Sequence, residues 1–476
     1  MTVTETGRGT AVAQPVDPTP APRTRRSAGP VVLCAGAAVL AGGAAALLGA
    51  VGALVVAGFL LVVVVALHPV AAVYVYLVTL PFLAGIDRDV LIPFARPNEA
   101  LLALLLAGAA TGGYLRFVRG DEVSPRLRPL DVPLAVFVLL STLWPVSWLL
   151  LRGLTPGGDD LTAVLPICKL VALLVLVRAT VRTDTHRLWL VRAITWPAAV
   201  LGVIAVLQTA GVSPVVALLQ TYWLGDGNPD DLLERGTTTL ASPIATGDYV
   251  VLALALLVAM GLRGLVGRRE LIVLGLPLVA GAFAAGQFST WASAAVVGAA
   301  MLYQHRHLRR LALRLLPLLV LAALAGMPAF LARLSQFGDG FGVPRSWLGR
   351  WDNLTTFYLP GLGDSRWVLG VGPNSVLPAP ETWRELIYLE YGYLQFLWVG
   401  GIPLLLGFVW LSVHVFRHAR RVAARPDAAG AFGSALWAAW WMVLVLSLID
   451  IHLVLRGAGD LLFVYLAVVG GRSDDR

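Results

Sequence analysis

Few residues in this chain can do chemistry, and most of them sit in two polar stretches. Glu390 is a carboxylate at the mouth of an apolar run, closing a stretch that holds the Gly-rich turn Gly370, Gly372, Pro373 and Asn374. Arg345, Arg350, Arg366 and Arg384 precede it in the same stretch, and Arg235 lies in another polar stretch upstream. Lys169, the only lysine, is set inside an apolar segment. A glutamate with a reference pKa of ~4.3 is ionised at neutral pH and can accept a proton from a hydroxyl. An arginine is always charged, and its fork suits phosphate oxygens. Each residue also has a plainer reading. Glu390 can be a helix-start carboxylate, held by the helix dipole or by Arg384. Arg235 can pair with Glu234 or Asp231. Lys169 costs roughly 2.5–3.5 kcal/mol at the centre of a membrane helix, so it should snorkel, face a cavity or pair, with Asp248 as a counter-ion.

The elements that carry these residues are apolar. Of the 476 residues 58% are hydrophobic and 13% charged, and the mean hydropathy is +0.78. A soluble domain cannot hide that much apolar surface, and the runs are continuous rather than alternating, so the expectation is an all-α polytopic membrane protein and not a β-barrel. Spans are expected near 30–48, 50–67, 69–84, 98–116, 132–151, 163–180, 188–210, 243–261, 271–287, 291–304, 312–332, 389–415, 432–450 and 457–470. That is about fourteen transmembrane helices (12–14), each long enough or nearly so for a core of ~30 Å. Residues 1–28 read as a disordered cytoplasmic tail, 29–470 as one polytopic membrane domain and 471–476 as a second cytoplasmic tail.

The net charge of +8 comes almost wholly from arginine. Arginines fill alternate loops (Arg116 and Arg119; Arg178 and Arg182; Arg263 and Arg268; Arg417 and Arg421), while Asp87, Asp159, Asp226 and Asp352 mark the others. Positive-inside topology explains both sets with both termini cytoplasmic, and it leaves no reason to invoke nucleic acid. Two external loops are long, 212–242 and 333–388. The second carries Trp347, Trp351, Phe357, Tyr358, Trp367 and Trp383, so short helices at the membrane surface are expected there rather than disorder. Asp450 and His452 are expected at the interface, and Cys34 and Cys168 as small buried apolar groups.

The segment LEYGYLQFLWVGGIPL, Leu389–Leu404, resembles the signature of the O-antigen ligase and O-antigen polymerase family. Tyr393, Leu394, Gln395 and Gly401 match, and so does the upstream Gly370-Val371-Gly372-Pro373. Glu390 stands where the ligases carry His, Tyr391 replaces Asn, and Leu404 replaces a second Gly. RGTTTLASPIATGDY, Arg235–Tyr249, is similar to a second element of that family, with Arg235 at its essential arginine, and Ser289 keeps half of a Ser-Arg pair. The resemblance implies a membrane glycosyltransferase at the outer face of a bacterial plasma (inner) membrane. It would join saccharide from a polyprenyl-pyrophosphate-linked donor to a glycan or lipid-linked acceptor. Glu390 would take the acceptor proton and Arg235 would hold the pyrophosphate, with Arg345, Arg350, Lys169, Arg366 and Arg384 as substrate-binding residues. The loss of His favours a polysaccharide polymerase over a ligase. Neither a cofactor nor a metal is implied. The rival reading is a multi-spanning transporter or a lipid-linked-glycan flippase, which requires polar groups deep in the membrane; no internal repeat supports it.

Overall fold

In lipid every backbone polar group must be satisfied within its own element, so long apolar runs become helices. The structure, a computed structural model, describes residues 51–471 together with Gly43 and Gly49, apart from 89, 91, 93–94, 121–127, 225–232, most of 306–344, 364 and 379–385. Residues 1–60 and 61–476 form separate compact units. The first contributes the start of helix α1 (Val51–Leu67). All that follows concerns the second.

Its helices are α2 (Val70–Leu83), α3 (Pro97–Val118), α4 (Asp131–Ser141), α5 (Leu143–Leu151), α6 (Gly158–Thr180), α7 (Asp184–Thr209), α8 (Ser213–Leu219), α9 (Pro243–Leu262), α10 (Arg268–Ala284), α11 (Phe288–Gln304), α12 (Arg345–Asn353), α13 (Arg366–Leu369), α14 (Gly392–Ala423), α15 (Ala428–Leu446) and α16 (Ala458–Val469). The only sheet among the described residues is the antiparallel pair β1 (Val376–Pro378) and β2 (Leu386–Tyr388). The fold is therefore all-α, as expected. Among the described residues, seven helical segments are long and apolar enough to cross a membrane, the continuous α4–α5 segment among them, and α1, α2 and α16 are shorter apolar helices. The expected spans near 30–48 and 312–332, with Cys34, fall almost wholly outside the described residues.

The middle of the bundle is α9, α15 and α16. In α9 and α15, 78% of the apolar window is buried, and every residue of α16 is buried. Without a strong hydrophobic drive between helices in lipid, close approach through small residues becomes the packing device. At the contact of α7 with α10, a Cβ on Gly281 would lie 2.5 Å from the Cα of Gly202, so only glycine fits. Cys168 departs from expectation. It lies on an outward face of α6 and is exposed, because helical periodicity turns it away from buried Ile167 and Leu170.

The two sets of loops separated by charge gather at the two ends of the helices. At one end Arg263 donates to the carbonyls of Ala423 (2.7 Å) and Arg425 (3.2 Å), Arg128 donates to Gly470 O (3.3 Å), and Arg178 pairs with Asp131. At the other end Arg456 reaches Gly85 O (3.3 Å), Arg152 reaches Val371 O (2.9 Å), and Thr239 reaches Pro81 O (2.7 Å). The second end holds the long stretch before α14.

Candidate functional site

The site is built around a break in α14. Gly401 has φ +66° and ψ −159° inside the helix, and Pro403 follows it. A proline lacks the N–H that would continue the ladder, which leaves carbonyls of the preceding turn open. Trp398 O accepts instead from Val371 N (2.6 Å) and Gly372 N (3.3 Å). The turn after α13 can approach this closely because Gly370, at φ +98°, has no side chain. A Cβ there would lie 2.8 Å from Val399 O, and a Cβ on Gly401 would strike Val368 O. The Gly-x-Gly-Pro element and the glycine of α14 thus pack against each other.

One face of α5 secures this turn. Trp144, Trp148 and Arg152, spaced four apart, donate to three successive carbonyls: Leu369 O (3.1 Å), Gly370 O (2.9 Å) and Val371 O (2.9 Å). The two indoles stack at 6.0 Å, and the guanidinium of Arg152 lies 5.9 Å from the Trp148 ring centre. Further on, Trp398 Nε1 donates to Asn374 O (2.9 Å) and the Tyr358 hydroxyl donates to Ser375 O (2.7 Å). Burial pushes the Tyr358 phenol well above its ordinary pKa, so it stays a donor. Leu354, Tyr358, Leu362, Ile387, Leu389 and Trp398 form a small apolar core of their own beneath this layer.

The wall held in this way lines a cavity of about 600 Å³. Pro373 and Asn374 come from the Gly-rich turn, Gln395 from the Tyr-Leu-Gln element, and Tyr388 from β2. Arg88 and Asp159 also line it, the latter in the first turn of α6. The volume is that of a small-molecule site, and its mixed polar and apolar lining suits a ligand with an apolar part.

Glu390 lies between Tyr388 and Gln395 in the sequence but does not line the cavity; its partner Arg350 and its neighbour Tyr391 line a second, smaller pocket. Its Oε2 is 2.5 Å from Arg350 Nε, and Arg350 Nη2 is 3.2 Å from Asp450 Oδ2. Arg350 is therefore a clasp between the long loop and the segment after α15. Burial raises the Asp450 carboxyl above its ordinary pKa even against the pull of Arg350. Asp450 and His452 are both buried within the protein. His452 Nδ1 lies 2.5 Å from Asp248 Oδ2, and Ser293 donates to the other oxygen of Asp248 (2.8 Å). Burial works against a charged His452 ring, but the Asp248 carboxylate outweighs it and its pKa is raised.

The remaining expected residues are dispersed. Arg235 neither lines the cavity nor pairs with Glu390. Its carbonyl accepts from Gln208 Nε2 (3.0 Å), and the next residue, Gly236, donates to Ala284 O (2.8 Å), which ties the 233–242 segment to α7 and α10. Lys169 does not pair with Asp248. It climbs to Asp460 Oδ2 (2.8 Å), whose other oxygen accepts from Tyr76 (2.7 Å), because Asp248 is taken by His452. Arg366 is exposed at the start of α13. Arg345 opens α12, its side chain lies outside what is described, and Arg384 lies wholly outside the described residues. Arg88 and Asp159 carried no signal as site residues in the sequence beyond their charge. Among the described residues no group of three or more His, Cys, Asp or Glu could hold a metal ion. Neither a protein-family model nor a curated protein matches this chain.

Proposed function

We propose that the chain is a membrane glycosyltransferase of the O-antigen ligase and polymerase kind, most akin to a polysaccharide polymerase. The observation that supports this reading is a convergence. The two sequence elements that carry the resemblance, Gly370–Pro373 and Tyr393–Gln395, are about twenty residues apart, yet Pro373 and Gln395 line one cavity. A carboxylate, Glu390, lies five residues before Gln395 in the chain.

In this reading both termini are cytoplasmic, the chain crosses the membrane about fourteen times, and the cavity opens at the outer face of the plasma membrane. A polyprenyl-pyrophosphate-linked saccharide binds with its sugar in the cavity. The acceptor hydroxyl oxygen attacks the anomeric carbon, its proton passes to Glu390, and the bond from that carbon to the pyrophosphate oxygen breaks. The polyprenyl pyrophosphate departs, so no general acid is needed. What is needed is cationic stabilisation of the charge that develops on it. Arg350 holds Glu390 in place. Asp159, on the cavity wall, is the second carboxylate able to take the proton.

The test is elongation of a lipid-linked oligosaccharide by the purified protein in lipid. Glu390→Gln is expected to slow transfer by ~10²-fold or more, the usual worth of a general base, and Asp159→Asn to slow it less. Full-length product ladders from both variants would sink the assignment. The transporter reading draws on the two buried ion pairs, Asp248–His452 and Lys169–Asp460. It predicts substrate movement across a vesicle membrane with no new glycosidic bond.

A further inference from the structure

The loop between α2 and α3 and the turn before α16 bring three guanidinium groups to one corner. Arg88 lines the cavity. Arg456 Nη2 lies 2.6 Å from Asp87 Oδ1, and Arg96 Nη2 lies 4.0 Å from that same oxygen. One carboxylate oxygen thus stands between two guanidinium groups. Arg88 holds Glu99 in a fork, at 2.9 Å and 3.4 Å. The three side chains are only 20%, 21% and 27% exposed for Arg88, Arg96 and Arg456.

Among the described residues, three guanidinium groups face two carboxylates at this corner, Asp87 and Glu99. Arg96 Nε is buried with no hydrogen-bond partner. Burial, then the charges of Arg456 and Arg88, lower the Arg96 pKa to about 10. Partly desolvated like charges with an unmet donor are costly unless an anion joins them. The carboxylate now between them is weakly held, because the Asp87 side chain is 59% exposed.

We propose that Arg88, Arg96 and Arg456 form an anion site for a diphosphate group at one end of the cavity, with the Asp87 carboxylate in the position that a phosphoryl oxygen takes on binding. Arg96 and Arg456 supply the open donors, and Arg88, engaged by Glu99, joins the site to the cavity. The identity of the ligand as the diphosphate of a lipid-linked donor rests on the function proposed above; the anion site itself rests on the geometry. It moves the phosphate away from Arg235, whose segment is tied to α7 and α10.

The probe is inorganic pyrophosphate, titrated calorimetrically into the full-length protein in detergent. Arg96→Gln and Arg456→Gln are each expected to weaken binding about tenfold or more, equivalent to ~1.4 kcal/mol, and Arg235→Gln to leave it unchanged. Asp87→Ser removes the competing carboxylate and is expected to tighten binding severalfold, a gain that misfolding cannot imitate. Farnesyl diphosphate is expected to compete with the probe, and failure to compete would remove a lipid-borne ligand. Unchanged binding in Asp87→Ser, or loss in Arg235→Gln but not in Arg96→Gln, would overturn the site. The two proposals fail separately. Pyrophosphate shifts as stated, with no glycan transfer by the wild type, would keep the anion site and discard the transferase. Transfer with an unaltered donor KM in Arg96→Gln and Asp87→Ser would do the reverse.

Discussion

Arg350 shows how little of a residue's role its own type reveals. It is one of five arginines in the long stretch before Glu390, and nothing in the spacing singles it out. Its partners lie 40 residues later, at Glu390, and 100 residues later, at Asp450. Asp450 in turn lies two residues before His452, which is buried against Asp248. This chain of charges gives a prediction about pH. The His452 pKa is raised in the fold, so the folded chain binds that proton more tightly than the unfolded one. The stability it contributes is full below ~6.5, the unfolded value, and is lost as pH rises through the higher folded value. Asp450, whose pKa is also raised, has the same sign. The midpoint of thermal unfolding in detergent should therefore fall as pH rises above ~6.5. His452→Gln, which can still donate to Asp248, should flatten the slope in that window. An equal slope in the variant would assign the dependence to other groups. Glu390 and the Gly-rich turn were legible because they are polar in an apolar chain. Arg88, Arg96 and Arg456 were not, since contact between residues 88 and 456 depends on how the helices are arranged and leaves no local pattern.

At the scale of elements, the long stretch before α14 is held as a layer by side chains that point at its backbone. Its carbonyls at 369, 370 and 371 are met by a single face of α5, and those at 374 and 375 by Trp398 and Tyr358. The i, i+4 spacing of Trp144, Trp148 and Arg152 was readable as one helical face. Its target was not, because a loop carbonyl carries no side-chain signature. The helices themselves were legible from continuous apolar runs; most ends shift by about a turn, but α14 runs on to Ala423, eight residues past the expected end at 415, and α8 forms within a stretch expected as loop. The break in α14 is the feature that joins helix to layer, and it can be tested by substitution. Gly401→Ala places a Cβ against Val368 O at a positive φ. The backbone alone costs roughly 1–3 kcal/mol, because φ +66° with ψ −159° is a region essentially only glycine adopts, and relief requires the 366–371 turn to move, which deforms the cavity wall. A lowered unfolding temperature together with impaired transfer is expected. Gly275→Ala is the contrast. Its Cβ would lie 3.9 Å from Leu257, ordinary contact inside α10, and a helical Ala is no worse than Gly. If both variants behave alike, the break in α14 does not position the cavity.

For the whole molecule, the question is which way the cavity faces. Arginine-rich loops meet at one end of the helices, and the cavity, the Arg350 clasp and the three-arginine corner lie at the other. Lipid-linked glycans are assembled into polymers only where donor and acceptor are both presented, so a cavity on the cytoplasmic side would contradict the proposed reaction. The topology proposed from the positive-inside rule has it outside. Cysteine labelling decides this in intact cells. In a background with Cys34→Ser and Cys168→Ser, Thr356→Cys lies on an exposed turn beyond α12, and Ala424→Cys lies exposed at the C-terminal end of α14. A membrane-impermeant maleimide should modify Thr356→Cys in whole cells and reach Ala424→Cys only after permeabilisation. Both variants sit at surface positions with room for the label, so the outcome depends on orientation rather than on folding. The reverse pattern would invert the topology. The arginines now read as cytoplasmic anchors would then face outward, and a phosphate-binding corner would face the cytoplasm, where soluble diphosphates compete for it. That single reversal would remove the transferase reading and leave the anion site without its lipid-linked ligand.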